Sequence, residues 1–506
     1  MRALRSLLAG LGRTLGGALL GVLAAAAAGL VFYVDRMPEL SVWHTAALDE
    51  EFTADSPVAS FEEYLALEER LFAQLEDRVF ARIAPDERTR IDRFHRGSLS
   101  DPGRWPRDWN RSYAWPVDAP RAAAVLVHGM SDSPYALHNQ AERLHAAGVY
   151  VVGLRVPGHG TAPVALTRVR YEDMAAALRL AVQHARERVP DRPLFLVGFS
   201  NGGALSLHYT LGAIADGARP RPDALVLFSP EIAVTPAAAL AVWQDRIGRL
   251  LGWPKLAWSS LGPEYDPFKY VSFAVNAGDQ AHRITGELAR LVAEAAAAGR
   301  LEAVPPVLVF QSAVDSTVST PAVIQGLLAR LPPRGHELVL FDLNRMADVD
   351  ELLAYDPRDD LVALLDRGDL PFTLRVVTNE SPQSPRVALY SRAPGTRERR
   401  RIDLALEWPP QVFSLSHVAV QFPPQDPLYG DGSGAPSPGI ALGRIALRGE
   451  HGVLRVAPAD MLRARSNPFY PYVETRMLEF LGLAEATGPA AASAPARADE
   501  QVDRGP

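Results

Sequence analysis

The chain of 506 residues contains no cysteine, which excludes disulfide bonds and thiolate chemistry. It also contains very little lysine: of its 52 lysine and arginine residues, only Lys255 and Lys269 are lysines. The formal net charge is −7 and no basic stripe stands out, so the sequence gives no reason to expect nucleic-acid binding. A hydrophobic content of 48% is enough for one large core, and we expect one large domain with additions.

The most informative stretch covers residues 194–203, where four apolar residues lead into a Gly-x-Ser-x-Gly motif. The pattern predicts a strand, a tight turn and a helix. A serine at the tip of such a turn is held in a strained backbone with its hydroxyl above the sheet, and the flanking glycines avoid clashes. The motif therefore predicts Ser200 as a nucleophile, with Gly198 and Gly202 as the supporting glycines.

A second motif, His128-Gly129-Met130, follows another apolar run that predicts a buried strand. In acyl transfer, backbone N–H groups can hold the oxyanion of the tetrahedral intermediate without reorganising. We predict that the amides of Met130 and Asn201 are the two donors. The alternative for His128 and Gly129 is a simple turn at the end of a strand.

Two acidic residues follow predicted strands at positions where a carboxylate could hold an imidazole. Asp315 comes just after the apolar run at 306–310, and Glu231 comes just after the run at 224–228. We favour Asp315, because it lies on a short polar turn late in the predicted sheet. Glu231 is more simply a polar residue at the start of the next insertion.

Three histidines follow Asp315 and compete for the role of general base. His336 begins a predicted strand, which puts it at the sheet edge opposite the serine, and His451 lies in a predicted hairpin turn. His417 lies in a loop after the last predicted sheet strand and before the last helix. We therefore predict His417 as the base, and the alternative is a structural histidine.

Together with the segment 157–161, which reads Pro-Gly-His-Gly-Thr, these motifs resemble those of the α/β-hydrolases. The resemblance is strongest to the bacterial carboxylesterase and monoacylglycerol lipase branch, often described as serine aminopeptidase-like, and covers roughly residues 108–482. It implies a mostly parallel central sheet flanked by helices and a triad of Ser200, His417 and Asp315. It also implies an acyl-enzyme mechanism without a cofactor or a metal, and a wall-forming role for the loop that contains His159.

The sequence departs from the common core of that family in two places, the insertion before His417 and the N-terminal hundred residues. About 70 residues separate the predicted strand at 337–341 from His417, and their alternating runs predict an inserted β-hairpin within about 345–410. Separately, the long connection at about 231–299 predicts a helical cap. Its aromatic residues either line an acyl-binding cavity or pack the cap onto the core: Trp243, Trp253, Trp258, Tyr265 and Phe268. The predicted domains are a membrane anchor or signal segment at 1–36, a helical arm and linker at 37–107, the catalytic domain at 108–482 and a disordered tail at 483–506.

Residues 15–34 carry no charged side chain, and about 20 helical residues reach roughly 30 Å, the thickness of a bilayer core. Arginines precede this run and Asp35 follows it, which favours an N-terminus on the inside. We predict an uncleaved transmembrane helix that anchors the protein in the bacterial inner membrane in a single pass, with a periplasmic catalytic domain. The alternatives are a cleaved signal peptide and a buried helix of a soluble protein.

The sequence as a whole predicts a serine hydrolase that cleaves carboxylic esters, with a lipid-like or other small-molecule acyl ester as its partner. The same residues would serve a peptidase or an acyltransferase. A peptidase that releases N-terminal residues would need acidic groups to bind a free α-amine, and Glu264 and Asp266 are the candidates. A non-catalytic envelope protein that uses the fold for binding is the third alternative, although every triad position is filled.

Overall fold

The computed structural model of the chain describes residues 16–484 apart from 19, 23, 26–27, 234–247, 249, 347–357, 411 and 445–462. Part of the predicted cap with Trp243, the predicted hairpin turn with His451 and nearly all of the predicted tail at 483–506 lie outside the described residues.

One ten-stranded sheet organises the fold, and a separate two-stranded sheet is formed by β6 and β7. The strands are β1 (Tyr113–Trp115), β2 (Ala122–Val127), β3 (Val149–Leu154), β4 (Leu194–Phe199), β5 (Ala224–Phe228), β6 (Trp258–Ser260), β7 (Phe273–Ala274), β8 (Val307–Ser312), β9 (Glu337–Phe341), β10 (Thr373–Asn379), β11 (Arg386–Arg392) and β12 (Arg400–Glu407). The spatial order of the large sheet is β1-β3-β2-β4-β5-β8-β9-β10-β11-β12. Neighbours from β3 to β10 pair in parallel, whereas β1, β11 and β12 pair antiparallel.

Helices cover both faces of this sheet. They are α1 (Val42–Thr45), α2 (Phe61–Arg78), α3 (His138–Ala146), α4 (Tyr171–Arg188), α5 (Asn201–Asp216), α6 (Val275–Ala297), α7 (Thr320–Ala322), α8 (Arg358–Asp366) and α9 (Tyr470–Phe480). Along β2, Val125 and Val127 belong to the apolar cluster under α4, α5 and α6, while Ala124 and Leu126 belong to the cluster under α3 and α9. Burial on both faces explains why the parallel strands are continuous apolar runs instead of alternating ones.

The insertion before His417 extends the central sheet. Its strands β10 and β11 form the antiparallel pair expected of the inserted hairpin, with Val376 opposite Tyr390. In addition, β10 pairs in parallel with β9, and β12 pairs with β11 to become the edge of the sheet. The inserted strands therefore lengthen the sheet beyond β9.

The segment before the catalytic core packs closely onto it. Helix α2 begins after Ser60, whose side chain accepts a hydrogen bond from the amide of Glu63. Its apolar face includes Tyr64 and Leu67, which are buried in the same cluster as the core helices. This helix and the loops on either side of it are therefore part of the folded core, and we refer to residues 37–112 as the N-terminal arm.

A buried ion cluster fixes the arm to the end of β3. Arg155 is fully buried, and its guanidinium binds both carboxylate oxygens of Glu51, at 2.9 and 3.1 Å, and Glu68 at 2.8 Å. Ser112 donates its backbone N–H and its hydroxyl to Glu68. Charges buried this deeply are tolerated only when they are paired and hydrogen-bonded, as these are.

The prediction for the N-terminus is wrong. Among the residues that the structure describes, no helix is both long and apolar enough to cross a bilayer. This finding overturns the transmembrane helix predicted at 15–34, together with the membrane as a partner and the single-pass inner-membrane localisation. The prediction rested on the length of an uncharged run and on the charged residues that flank it.

We expect Glu68→Ala to lower the free energy of unfolding by about 3 kcal/mol, because it removes one carboxylate from a fully buried arginine. Denaturant titration followed by circular dichroism measures this change. Glu50→Ala, which breaks the exposed Arg70–Glu50 pair, is the matched control and should cost less than about 1 kcal/mol. Equal losses in the two variants would contradict a stabilising role for the buried cluster.

Candidate active site

The turn between β4 and α5 holds Ser200 in an unusual backbone conformation. Its φ is 53° and its ψ is −118°, a region that side-chain-bearing residues rarely adopt. A Cβ atom on Gly202 would lie 2.0 Å from the carbonyl oxygen of Val127, and one on Gly198 would lie 2.6 Å from that of Gly202. Only glycine fits at these two positions, so the strand, the turn and the helix can approach each other closely enough to hold the serine.

Two backbone hydrogen bonds maintain the strained turn. The amide of Ser200 donates to Phe228 O at 3.0 Å, and the carbonyl of Ser200 accepts from the amide of Glu231 at 3.0 Å. The end of β5 thus holds Ser200 from the neighbouring strand. Strain of this kind persists only where the surroundings over-determine the conformation, and it is concentrated at functional sites.

The structure brings His417 and Asp315 together across about 100 residues of sequence. His417 Nδ1 lies 2.8 Å from Asp315 Oδ2, and both side chains are nearly buried. Burial raises the pKa of the Asp315 carboxyl, but the hydrogen bond to His417 and two backbone N–H groups lower it further, so its pKa lies below the usual value. Asp315 is therefore ionised at neutral pH and orients the imidazole with Nδ1 protonated.

Contacts from two strands keep the His417 loop in place despite the insertion that precedes it. The hydroxyl of Ser312, at the end of β8, donates to Leu415 O at 2.8 Å. The amide of Asn344, just after β9, donates to Phe413 O at 2.7 Å. The strand ends that precede the insertion therefore position the loop that follows it.

The imidazole of His417 packs against Phe199, the residue before Ser200, with 5.0 Å between ring centroids. Ser200 is 7% exposed and His417 is 8% exposed, so both side chains reach solvent only slightly. Within the described part of the chain, no hydrogen bond joins Ser200 Oγ to the ring. Catalytic hydrogen bonds are often long before a substrate binds, so this geometry is compatible with proton transfer from Ser200 to His417.

The amides of Met130 and Asn201 lie on the two turns that flank the serine. Asn201 is the first residue of α5, where a helix leaves its N–H groups without intrahelical partners. Among the described residues, neither amide donates a hydrogen bond to a protein acceptor. Both N–H groups are therefore available to an oxyanion.

His128 is a buried structural element of the loop that leads to Met130. Its Nε2 accepts a hydrogen bond from the amide of Val156 at 3.0 Å, and its Nδ1 therefore donates to Gly129 O at 2.9 Å. Burial lowers the pKa of His128 far below 6.5, which keeps the ring neutral. Val156 follows Arg155 directly, so the buried ion cluster and the loop before Met130 are connected by consecutive bonds.

Sequence analysis missed a second support of the same loop. The ammonium of Lys269 lies 2.7 Å from Asp132 Oδ1, 3.1 Å from Ser131 Oγ and 3.5 Å from Met130 O. The amide of Tyr270 donates to Ser131 O at 2.8 Å, and Ser131 has a positive φ of 64°. The available signal was compositional, since Lys269 is one of only two lysines in the chain.

The other residues considered as the acid or the base of the site bind other partners. Glu231 accepts a hydrogen bond from the Asn201 side chain at 3.2 Å instead of binding His417, and burial raises its pKa. His336 is buried at the start of β9, at the end of the strands opposite Ser200, where its Nδ1 accepts from the amide of Val307. His159 is buried beside His128, and burial lowers its pKa to about 4.

The two acids considered for binding an α-amine are already engaged. Glu264 accepts hydrogen bonds from the amides of Val271 and Ser272, and burial raises its pKa to about 7. Asp266 accepts from two backbone amides and from the hydroxyl of Tyr429. Both carboxyls are almost fully buried and hold loops together.

Three of the aromatic residues considered for an acyl cavity, Trp258, Tyr265 and Phe268, pack onto the core. Trp258 is 1% exposed and contacts His44 edge-on, while Phe268 stacks on Tyr135 with 4.5 Å between centroids. Tyr265 is also buried. Throughout the described residues, no three His, Asp or Glu side chains are grouped as metal ligands.

Comparison with known proteins agrees with this architecture. Residues 118–343, less than half of the chain, match the sequence model of the family described as serine aminopeptidase, S33. The match runs from the region of β2 to the end of β9 and so includes Ser200 and Asp315. The match and the sheet topology are both consistent with the α/β-hydrolase superfamily.

Two curated proteins and one solved structure illustrate the similarity. The phospholipase YtpA of Bacillus subtilis is 28% identical over 119 residues, which are 23% of this chain and 44% of that protein. The thermostable monoacylglycerol lipase of Bacillus sp. strain H-257 is 31% identical over 84 residues, which are 17% of this chain and 33% of that protein. The chain thus spans less than half the length of these relatives.

The solved structure is a soluble variant of monoglyceride lipase from Saccharomyces cerevisiae. It is 14% identical, with a TM-score of 0.36, and the superposition covers 46% of this chain and 82% of that one. Similarity at this level carries no argument about substrate.

The buried His128 should make stability depend on pH. Because the pKa of His128 is lowered in the folded state, only the unfolded chain binds this proton as the pH falls below 6.5. Proton binding then favours the unfolded chain, so the protein loses stability as the pH falls. We expect the stability difference between the wild type and His128→Asn to shrink by about 2 kcal/mol between pH 7 and pH 5. Urea titrations at the two pH values measure the difference. The exposed His282→Asn is the control and should follow the wild type, and a constant difference for His128→Asn would refute the assignment.

Proposed function

We propose that this protein is a serine hydrolase that cleaves carboxylic esters through an acyl-enzyme intermediate. The observation that carries the proposal is the strained Ser200 between β4 and α5, next to a buried His417–Asp315 pair at 2.8 Å. A nucleophile, a base and an orienting acid in this order and setting serve covalent acyl transfer.

In the proposed reaction, Ser200 Oγ attacks the ester carbonyl while His417 Nε2 takes the hydroxyl proton. Asp315 holds Nδ1–H and stabilises the imidazolium that forms, because its low pKa keeps it ionised. The amides of Met130 and Asn201 hold the oxyanion. His417 then gives the proton to the leaving alcohol, and it activates a water molecule that releases the acid from Ser200.

Esters are preferred over N-terminal peptides as substrates for three reasons. Glu264 and Asp266 are buried and accept hydrogen bonds from backbone amides, so neither is available to pair with a free α-amine. The curated relatives are named as a phospholipase and a monoacylglycerol lipase, which favours a lipid-like acyl ester. An alcohol is also a better leaving group than an amine.

A fluorophosphonate probe should label the protein, and Ser200→Ala should abolish both the labelling and the turnover of p-nitrophenyl esters, with kcat falling by roughly 10³-fold or more. The probe forms an oxygen–phosphorus bond to an activated serine with loss of fluoride. Gel fluorescence and intact mass measure the labelling. Ser206→Ala removes a buried hydroxyl one turn further along α5 and is the matched control. Labelling that survives in Ser200→Ala would disprove the proposal.

The substrate class can be tested by comparing p-nitrophenyl esters with aminoacyl p-nitroanilides under the same conditions. We expect kcat/KM to be at least about 100-fold higher for the esters, because Glu264 and Asp266 are engaged by backbone amides and do not hold the charged amine of a peptide substrate. Spectrophotometric release of nitrophenol or nitroaniline measures both. Faster hydrolysis of the anilides would favour a peptidase with the same triad.

A further inference from the structure

A cavity of about 200 Å³ lies between helix α2 of the N-terminal arm and the loop that follows it. Aromatic side chains form much of its wall, among them Phe72, Phe94 and Trp105. Arg93 also lines it, and on the core side it reaches Gly160. None of the proposed catalytic residues borders this cavity, so it is distinct from the site described above.

Two residues that line this cavity carry buried N–H donors without an acceptor among the described residues. Arg93 is 2% exposed, and its Nη2 donates to Asn110 Oδ1 at 3.0 Å and to Gly160 O at 3.5 Å. Within the described part of the chain, Nη1 of Arg93 and Nε1 of Trp105 are both buried without a hydrogen-bond partner. A buried donor without an acceptor costs free energy, so two beside one cavity point to an acceptor that occupies it.

The charged side chains of the wall also favour an anionic ligand. Arg96 is paired with Glu76 and Asp101. Arg111 is paired with Glu69 and Asp108.

Arg93 differs from these two arginines. No acidic side chain among the described residues lies within ion-pair distance of it. The carboxyl of Glu264 is occupied by backbone amides. The cavity therefore carries one buried positive charge without a direct counter-ion.

We infer that this cavity binds a small organic carboxylate whose apolar body is about the size of one aromatic ring. The carboxylate accepts hydrogen bonds from Arg93 Nη1 and Trp105 Nε1, while the body packs against Phe72 and Phe94. A hydrocarbon cavity of about 150 Å³ accommodates benzene, so the volume suits a benzoate-like molecule. Two donors and aromatic walls fit a carboxylate better than a phosphate, which presents more oxygens and more charge.

Fluorine NMR of 4-fluorobenzoate with the full-length chain tests this inference. We expect saturable line broadening with the wild type and at least about tenfold weaker binding with Arg93→Met, because a charge-assisted hydrogen bond is lost. Trp105→Phe keeps an aromatic ring but removes the second donor, so it should also weaken binding and remains informative if Arg93→Met fails to fold. The neutral analogue 4-fluorobenzamide should bind at least about tenfold more weakly.

Two further variants complete the design. Arg90→Met removes an exposed arginine from the same loop and should bind like the wild type. Ser200→Ala should also bind like the wild type, which separates this cavity from product binding at the catalytic serine. The inference is overturned if no saturable binding occurs up to about 10 mM, a range that already includes weak ligands. Equal binding by the Trp105→Phe variant, or loss of binding in Ser200→Ala, would overturn it as well.

Discussion

The burial of Arg155 between Glu51 and Glu68 is the constraint on which the arrangement of the site depends. One cation and two anions have been removed from water, and only their mutual pairing and the N–H and O–H groups around them offset that cost. The guanidinium also donates to His159 O, and the next residue, Val156, donates to His128. The N-terminal arm, the end of β3 and the loop before Met130 are thus connected by hydrogen bonds. The segment before the catalytic core therefore contributes to the geometry of the core.

Local chemistry made much of the fold predictable. The glycines around Ser200 are required by contacts of 2.0 to 2.6 Å that any side chain would create, and such a requirement is visible in five residues of sequence. The apolar runs of the parallel strands are equally visible, because both faces of the sheet are buried. The N-terminal prediction failed because the length and missing charge of a run do not by themselves establish a spanning helix.

The supports of the site were beyond prediction, since they depend on contacts between distant segments. Lys269 contacts the loop at Met130 although 139 positions separate the two residues, and no local sequence pattern predicts this contact. The sequence named His417 and Asp315 as candidates, but their 2.8 Å contact depends on Ser312 and Asn344, which hold the His417 loop after a long insertion. The two unpaired donors of Arg93 and Trp105, which line the cavity beside α2, likewise depend on packing. Nothing in the sequence around an arginine or a tryptophan indicates that its N–H group will be buried without a partner.

The insertion also changes how the sheet ends. Strand β12 carries Arg400, Arg401, Asp403 and Glu407, and residues of alternating exposure run along its length. An outermost strand offers unpaired backbone groups on which the strand of another molecule can dock. Charged side chains there must shed water before an incoming strand can pair, and this penalty discourages edge-to-edge aggregation. The same insertion that separates β9 from His417 thus provides the sheet with an edge strand that is protected against pairing with other molecules.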